Sequence, residues 1–299
     1  MKRAVSISIG SSKRDKVVEV ELLGEMVRIE RIGTDGSMEK AAQLYRQLDG
    51  KVDAFGVGGT DLGLTVGSKY YPLYSMHPMV RYVRLTPLVD GSELRKTIEI
   101  QIAPFLERAI GSYLKERKVL ITAGVDRWDM TLSFTKAGYD CVFGDLMFGL
   151  GVPIPLRSLT ALKRLASIML PIFGRLPFDW IYPTGEKQEI RTPKFEKYYQ
   201  WATVIAGDCH YIKRHMPDRL SGKIIATNTT TPEDVELFRQ VGIKYLVTST
   251  PVLDGRSFGT NMMEAAMIAV ACKGRQLTHE ELSQMLNNLG FQPQLQELN

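Results

Sequence analysis

The sequence predicts an α/β protein of two domains: a C-terminal Rossmann-like, doubly wound parallel sheet and a smaller N-terminal α/β domain. Three observations carry this. Short β-branched runs ending in Gly, Asp, Asn or Thr alternate with longer runs of helical spacing, the mark of βα units. A strand–turn–helix–strand unit restarts cleanly at Lys118 and ends at Asp145. The length, 299 residues, suits two domains, and 44% hydrophobic with 24% charged residues excludes a disordered chain.

Ala4–Ile9 reads as the first strand and Val17–Ile32 as a strand pair turning near Gly24. Ser37 caps a helix over Met38–Leu48, whose apolar positions share one face and which Asp49-Gly50 closes. Val52–Val57 is a strand, Lys69–Leu73 a weaker one before a short helix, and Thr86–Val89 another. Asp90-Gly91-Ser92 then caps one long helix from Glu93 to Lys115. Lys118–Thr122 is a strand, Trp128–Lys136 a helix and Cys141–Gly144 the next strand; Thr203–Ala206, Lys223–Ala226 and Tyr245–Thr248 are later buried strands. Between them lies an excursion with a basic amphipathic helix, Leu156–Leu170, a Pro/aromatic stretch and a helix near Phe195–Trp201. Helices Asn261–Ala271 and His279–Leu289 are expected to pack back on the first domain, with a loose tail after Phe291. The expected division is a substrate domain over 1–116, a nucleotide-binding domain over 117–275 with an insertion at about 151–200, and a helix and tail over 276–299.

Lys+Arg exceed Asp+Glu by 38 − 33, a net charge of +5, but the basic residues are scattered among acids, which disfavours a nucleic-acid stripe and suits a small anionic ligand. Three distant cysteines without C-x-x-C exclude a disulfide framework and a thiolate zinc site; His210 and His215 lack the spacing of a helical metal pair, so no metal is expected. No secretory signal opens the chain, and the apolar run Leu165–Phe173 is too short to span a bilayer, which points to a cytoplasmic protein without membrane association. The apolar excursion Leu165–Trp180 is a candidate homodimer surface.

The strongest chemical signal is the 118–145 unit. A turn at Gly124, Val125, Asp126 and Arg127 opening a helix presents N–H groups to a pyrophosphate, and an acid about 20 residues on, Asp145, holds ribose hydroxyls. Asp145 favours NAD over NADP. The three-glycine pattern is absent, which leaves S-adenosylmethionine as an alternative cofactor. Ends of later strands, with Thr227, Asn228 and Thr248, add polar groups to the same rim. Thr231-Pro232 also reads simply as a helix start. Ser11, Ser12, Asp90, Ser92, Arg256 and Asn261 sit at turns or helix starts suited to a carboxylate or phosphate. Lys96, Asp61 and His210 are the candidates for proton transfer. No P-loop and no G-x-S-x-G occurs.

Five segments resemble bacterial proteins of the quinate/shikimate 5-dehydrogenase-like group: Ile9–Asp15 (IGSSKRD), Phe55–Leu62 (FGVGGTDL), Val89–Thr97 (VDGSELRKT), Tyr182–Gln188 (YPTGEKQ) and Gly255–Ala265 (GRSFGTNMMEA). The resemblance implies a substrate domain followed by a Rossmann domain binding NAD(P), and a lysine–aspartate pair acting on a small hydroxylated acid. Asp61 matches that family's acid; its N-x-T-x-P-x-K lysine motif is absent here, and Lys96 is chosen from local chemistry. The expected activity is NAD(P)-dependent oxidoreduction. An S-adenosylmethionine-dependent methyltransferase and a non-catalytic ligand-binding protein are the alternatives.

Overall fold

A computed structural model describes residues 1–177, 191–250 and 259–299, with the backbone of 252–253 and 256–257. It is mixed α/β with two main sheets. The first contains β1 (Lys2–Ser8), β2 (Lys16–Leu22), β3 (Glu25–Gly33), β4 (Ala54–Gly58) and β7 (Leu88–Val89) in the order β2-β3-β1-β4-β7. Only β2 is antiparallel to its neighbour. The second contains β8 (Lys118–Ile121), β9 (Asp140–Phe143), β10 (Val204–Ala206), β11 (Ile224–Thr227), β12 (Tyr245–Thr248) and β15 (Gln294–Glu297) in the order β15-β12-β11-β10-β8-β9. It is parallel except for β15. In each sheet the chain builds to one side of its first strand and then reverses. The reversals fall between β1 and β4 and between β8 and β10, and such switch points leave a crevice beyond the strands' carboxyl ends.

Both sheets are covered on two faces. Val5, Ile7 and Phe55 pack with Tyr45 of α1 (Met38–Leu48) and Met79 of α2 (His77–Val80). Ala4, Val27 and Ile29 pack instead on Met263 and Met267 of α10 (Thr260–Ala271) and Leu282 of α11 (His279–Asn288). In the second sheet Val119 and Ile121 face α4 (Ile102–Ile110), α5 (Trp128–Lys136) and α6 (Leu159–Phe173), and Leu120 faces the other way. That other face meets α7 (Glu196–Trp201), α8 (Cys209–His215) and α9 (Pro232–Gln240). The alternation is the two-residue period of a strand buried on both sides. Thr231 caps α9 in a reciprocal box with Asp234. α10 is buried nearly all round, with nine buried residues that include Glu264, because it lies across β1, β3 and β4. Its first turn comes so close that a Cβ on Gly91 would lie 2.4 Å from Asn261 N.

Two expectations change. The single helix over 93–115 is two: α3 (Ser92–Glu99) and α4, broken because Pro104 cannot follow a helical Ile100 without clashing with its carbonyl. Ser133 repairs the break, accepting the Ala103 N–H (3.0 Å) and donating to Ile100 O (2.8 Å). The strand expected at Lys69–Leu73 is present as β6 (Lys69–Pro72), paired with β5 (Gly63–Val66) in a hairpin apart from the main sheets. The tail is not loose: β15 completes the edge of the second sheet. The proposed dimer surface falls partly outside the described residues; within them, α6 exposes Ile168 and Ile172. Tyr182–Gln188 also lies outside the described residues.

Candidate functional site

The turn after β8 does not wait for a pyrophosphate. Gly124 N–H donates to Asp145 Oδ2 (3.0 Å) and Val125 N–H to Oδ1 (2.8 Å). β9 lies beside β8, so the acid ending β9 reaches the turn directly. Burial pushes the Asp145 carboxyl up to about 6, against the pull of the two N–H groups. The expected roles of Gly124, Val125 and Asp145 are therefore corrected: the carboxylate takes the donors a phosphate needs and is not free to hold a ribose. Asp126 adds further negative charge. The N–H groups expected to meet a pyrophosphate and the acid expected to meet a ribose, of NAD(P) or of S-adenosylmethionine, are here engaged with each other.

Arg127 is also not a phosphate ligand. Its side chain is 8% exposed and turns inward, with Nη1 3.1 Å from Glu99 Oε1, Nη2 2.5 Å from Asp208 Oδ2 and Nε 3.1 Å from Asp126 Oδ2. Burial opposes the charge on Asp208, and Arg127 outweighs it, holding this carboxyl below the usual range. Asn228 Nδ2 donates to Asp208 Oδ2 (2.9 Å), while Asn228 Oδ1 accepts from Cys209 N–H (3.2 Å) and Thr227 Oγ1 (3.1 Å). Thr227 also donates to Gly207 O (2.8 Å), and Thr250 Oγ1 donates to Asn228 O (3.1 Å), with Thr248 half-buried at the end of β12. The strand ends thus do gather at the switch point, but they bond one another rather than present a nucleotide seat.

The two sheets' carboxyl-end loops approach each other beside this network. Gly63–Thr65 at the start of the hairpin, Ser92, Arg95, Lys96 and Glu99 of α3, and Val125, Asp126, Trp128 and Asp129 line one crevice, with a free space of about 20 Å³. Asp61, following β4, stands behind Arg95 with Oδ1 2.9 Å from Nη2. Burial raises its carboxyl to about 6; Arg95 opposes the rise, and Asp90 and Asp126 add to it. Glu99 is pushed up to about 7, again by burial, against Arg127 and Arg95. Lys96 pairs with Glu93 one turn earlier. Acids raised toward neutrality by burial, beside fixed cations, make this crevice the candidate site.

Lys96 lines the crevice and Asp61 pairs with Arg95 of its wall, whereas His210 lies apart. It lies exposed in the first turn of α8, its backbone N–H donating to Asp208 Oδ1 (2.9 Å), and it does not line the crevice. Ser92 does. The other residues expected to bind substrate serve the backbone. Ser11 Oγ accepts Lys13 N–H (3.2 Å), and Ser12 N–H donates to Asp35 (2.7 Å). Asp90 accepts the N–H groups of Leu62 (2.8 Å) and Ser92 (3.0 Å), and Asn261 donates to Ser6 Oγ (2.6 Å), tying α10 to β1. Arg256 has only its backbone described, in β14 (Arg256–Ser257), paired with β13 (Val252–Leu253).

Sequence reading missed Glu99, and it met Trp128 and Asp208 only as parts of the Gly124–Trp128 turn and the Gly207–His210 strand end, with no role of their own. An acid inside the apolar run Thr97–Ala103 was the available signal for Glu99. Among the described residues no group of three or more His, Cys, Asp or Glu side chains is placed to hold a metal ion, and no helix is long and apolar enough to cross a membrane.

No curated protein matches the chain. Among solved structures it is similar to the NAD-dependent malic enzyme of Thermotoga maritima, at 12% identity and a TM-score of 0.36, over 95% of this chain and 84% of that one. It is similar to the malic enzyme of Entamoeba histolytica at 11% and 0.37, over 88% and 56%, and to a galactofuranose binding protein at 12% and 0.35, over 96% and 99%. At these scores the functions of those proteins do not carry over. A family model described as "Domain of unknown function (DUF8753)" matches residues 3–90, and one described as "Domain of unknown function (DUF8754)" matches residues 93–298. With most of its length matched by the second, the chain belongs to the DUF8754 family.

Proposed function

We propose that the protein binds a small hydroxylated molecule in the crevice between its two α/β units, with Asp61 and Glu99 as the groups able to exchange a proton there. One observation carries the reading: the loops after β4 and β8, at the carboxyl ends of separate sheets, meet around α3 at carboxyls raised to about 6 and about 7. Arg95 and Arg127 hold these acids in place, and Lys96, at the wall, supplies a donor.

A second reading, NAD(P)-linked oxidation of a hydroxylated acid, follows from the resemblance to the quinate/shikimate 5-dehydrogenase-like group. Acids near neutrality favour it, since oxidation of a hydroxyl releases a proton that must be accepted. Its nucleotide requires a seat other than the Gly124–Val125 turn.

Thermal-shift measurements with quinate, shikimate, a neutral polyol, NAD, NADP and S-adenosylmethionine test both. A hydroxylated compound is expected to stabilise the protein, and Lys96→Ala to weaken that effect. Stabilisation by a nucleotide alone, unchanged in Lys96→Ala, overturns the crevice reading and moves the site elsewhere.

A further inference from the structure

Two residues that line the crevice each carry a buried polar atom with no hydrogen-bond partner. One is an acceptor, Glu99 Oε2, in a side chain 1% exposed; the other is a donor, Trp128 Nε1, in a residue 4% exposed. Glu99 Oε1 is held by Arg127 Nη1 at 3.1 Å, so the second oxygen is fixed in place without a partner. An unsatisfied buried polar atom is expensive, and when two residues lining one small crevice leave a donor and an acceptor open, a single group that completes both must both donate and accept. A hydroxyl does both. The free space of about 20 Å³ has room for one group of that size.

Charge narrows the class. Arg95 and Lys96, the cations lining the crevice, are already paired with Asp61 and Glu93, and Arg127 behind them faces Glu99, Asp126 and Asp208. Counted together, Asp61, Glu93, Asp126, Asp129 and Asp208 outnumber Arg95, Lys96 and Arg127 even when Glu99 is protonated. A ligand carboxylate or phosphate placed here meets acids and no free guanidinium. A neutral hydroxyl meets no such barrier.

We infer that the crevice recognises an uncharged polyhydroxylated ligand, one of whose hydroxyls is held between Glu99 Oε2 and Trp128 Nε1. This rests on the crevice being the ligand site, as proposed above. It departs from the hydroxylated acid that the resemblance implies and from the anionic ligand suggested by the chain's net charge.

The test compares two six-membered polyols that differ in the carboxylate: myo-inositol and quinate. Binding is followed by calorimetry and thermal shift on the full chain. myo-Inositol is expected to bind about tenfold or more tightly than quinate. Glu99→Gln and Trp128→Phe are each expected to weaken myo-inositol by about tenfold, the loss of one hydrogen bond to a buried polar group. Trp128→Phe keeps most of the ring, so it reports on the N–H even if Glu99→Gln, which disturbs Arg127, folds poorly. Tighter binding of quinate overturns the inference and leaves the crevice reading standing. Binding of myo-inositol that is unchanged in Trp128→Phe also overturns it, assigning the two open atoms to solvent. If neither compound nor any other polyol binds, the crevice reading fails and the inference with it.

Discussion

Asp145 shows how one carboxylate changes the meaning of a turn. By spacing it is the ribose acid of a dinucleotide unit; by contact it is the cap of its own turn, accepting two backbone N–H groups. Removing it leaves both donors without their partner. Asp145→Ala is expected to cost about 2–4 kcal/mol, read as a lower urea midpoint at unchanged m-value. Nucleotide affinity should not fall selectively. A loss of NAD binding in a variant of undiminished stability contradicts the capping role. The spacing was legible, but the partner was not. Which donors Asp145 meets depends on β9 lying next to β8, a fact of sheet order. Glu99 was hidden for a similar reason: its pairing with Arg127 spans 28 residues and joins the end of α3 to the start of α5.

At the scale of elements, most of the chain obeyed local rules. The helices over 38–48 and 128–136 and the strand over 245–248 occupy the segments their patterns mark, because capping residues and apolar periodicity act within a few residues. The break between α3 and α4 was missed, although Pro104 was visible. A proline near a helix start is ordinary, and only packing shows whether a helix ends before it. Ser133 of α5 satisfies both groups freed by the break. Ser133→Ala is therefore expected to destabilise the protein by about 1–3 kcal/mol. Hydrogen exchange is expected to quicken at Ala103 while the distant β1 amides change only with global stability. Equal acceleration at both sites rules out a local role for Ser133.

For the whole molecule, the buried acids between the two units set the pH response. Burial raises the carboxyls of Asp61 and Asp145 to about 6, Glu99 to about 7 and Glu264 to about 8. Each therefore holds its proton more tightly folded than unfolded. Their stabilising effect is complete below the unfolded values and is lost as pH rises through the folded ones. Thermal stability is expected to decline from pH 5 to pH 8.5. Glu264 lies in α10 and accepts the Leu94 N–H of α3 at 3.1 Å, so it couples these two helices. Glu264→Gln keeps an acceptor and abolishes the ionisation. It is expected to raise stability at pH 8.5 by about 1–3 kcal/mol relative to wild type and to leave pH 5 nearly unchanged. A wild-type melting temperature that rises from pH 5 to pH 8.5 contradicts this account.

The sequence by itself determined the α/β class and the positions of most strands and helices. These follow from periodicity, capping and local charge, which act over a few residues. Tertiary structure alone decided that Asp145 closes its own turn, that Arg127 is held by carboxylates, and that Glu99 and Trp128 leave an acceptor and a donor open in one crevice. Those outcomes depend on strand order and on which buried charges meet. Burial and pairing are properties of the assembled fold, and no residue carries them alone.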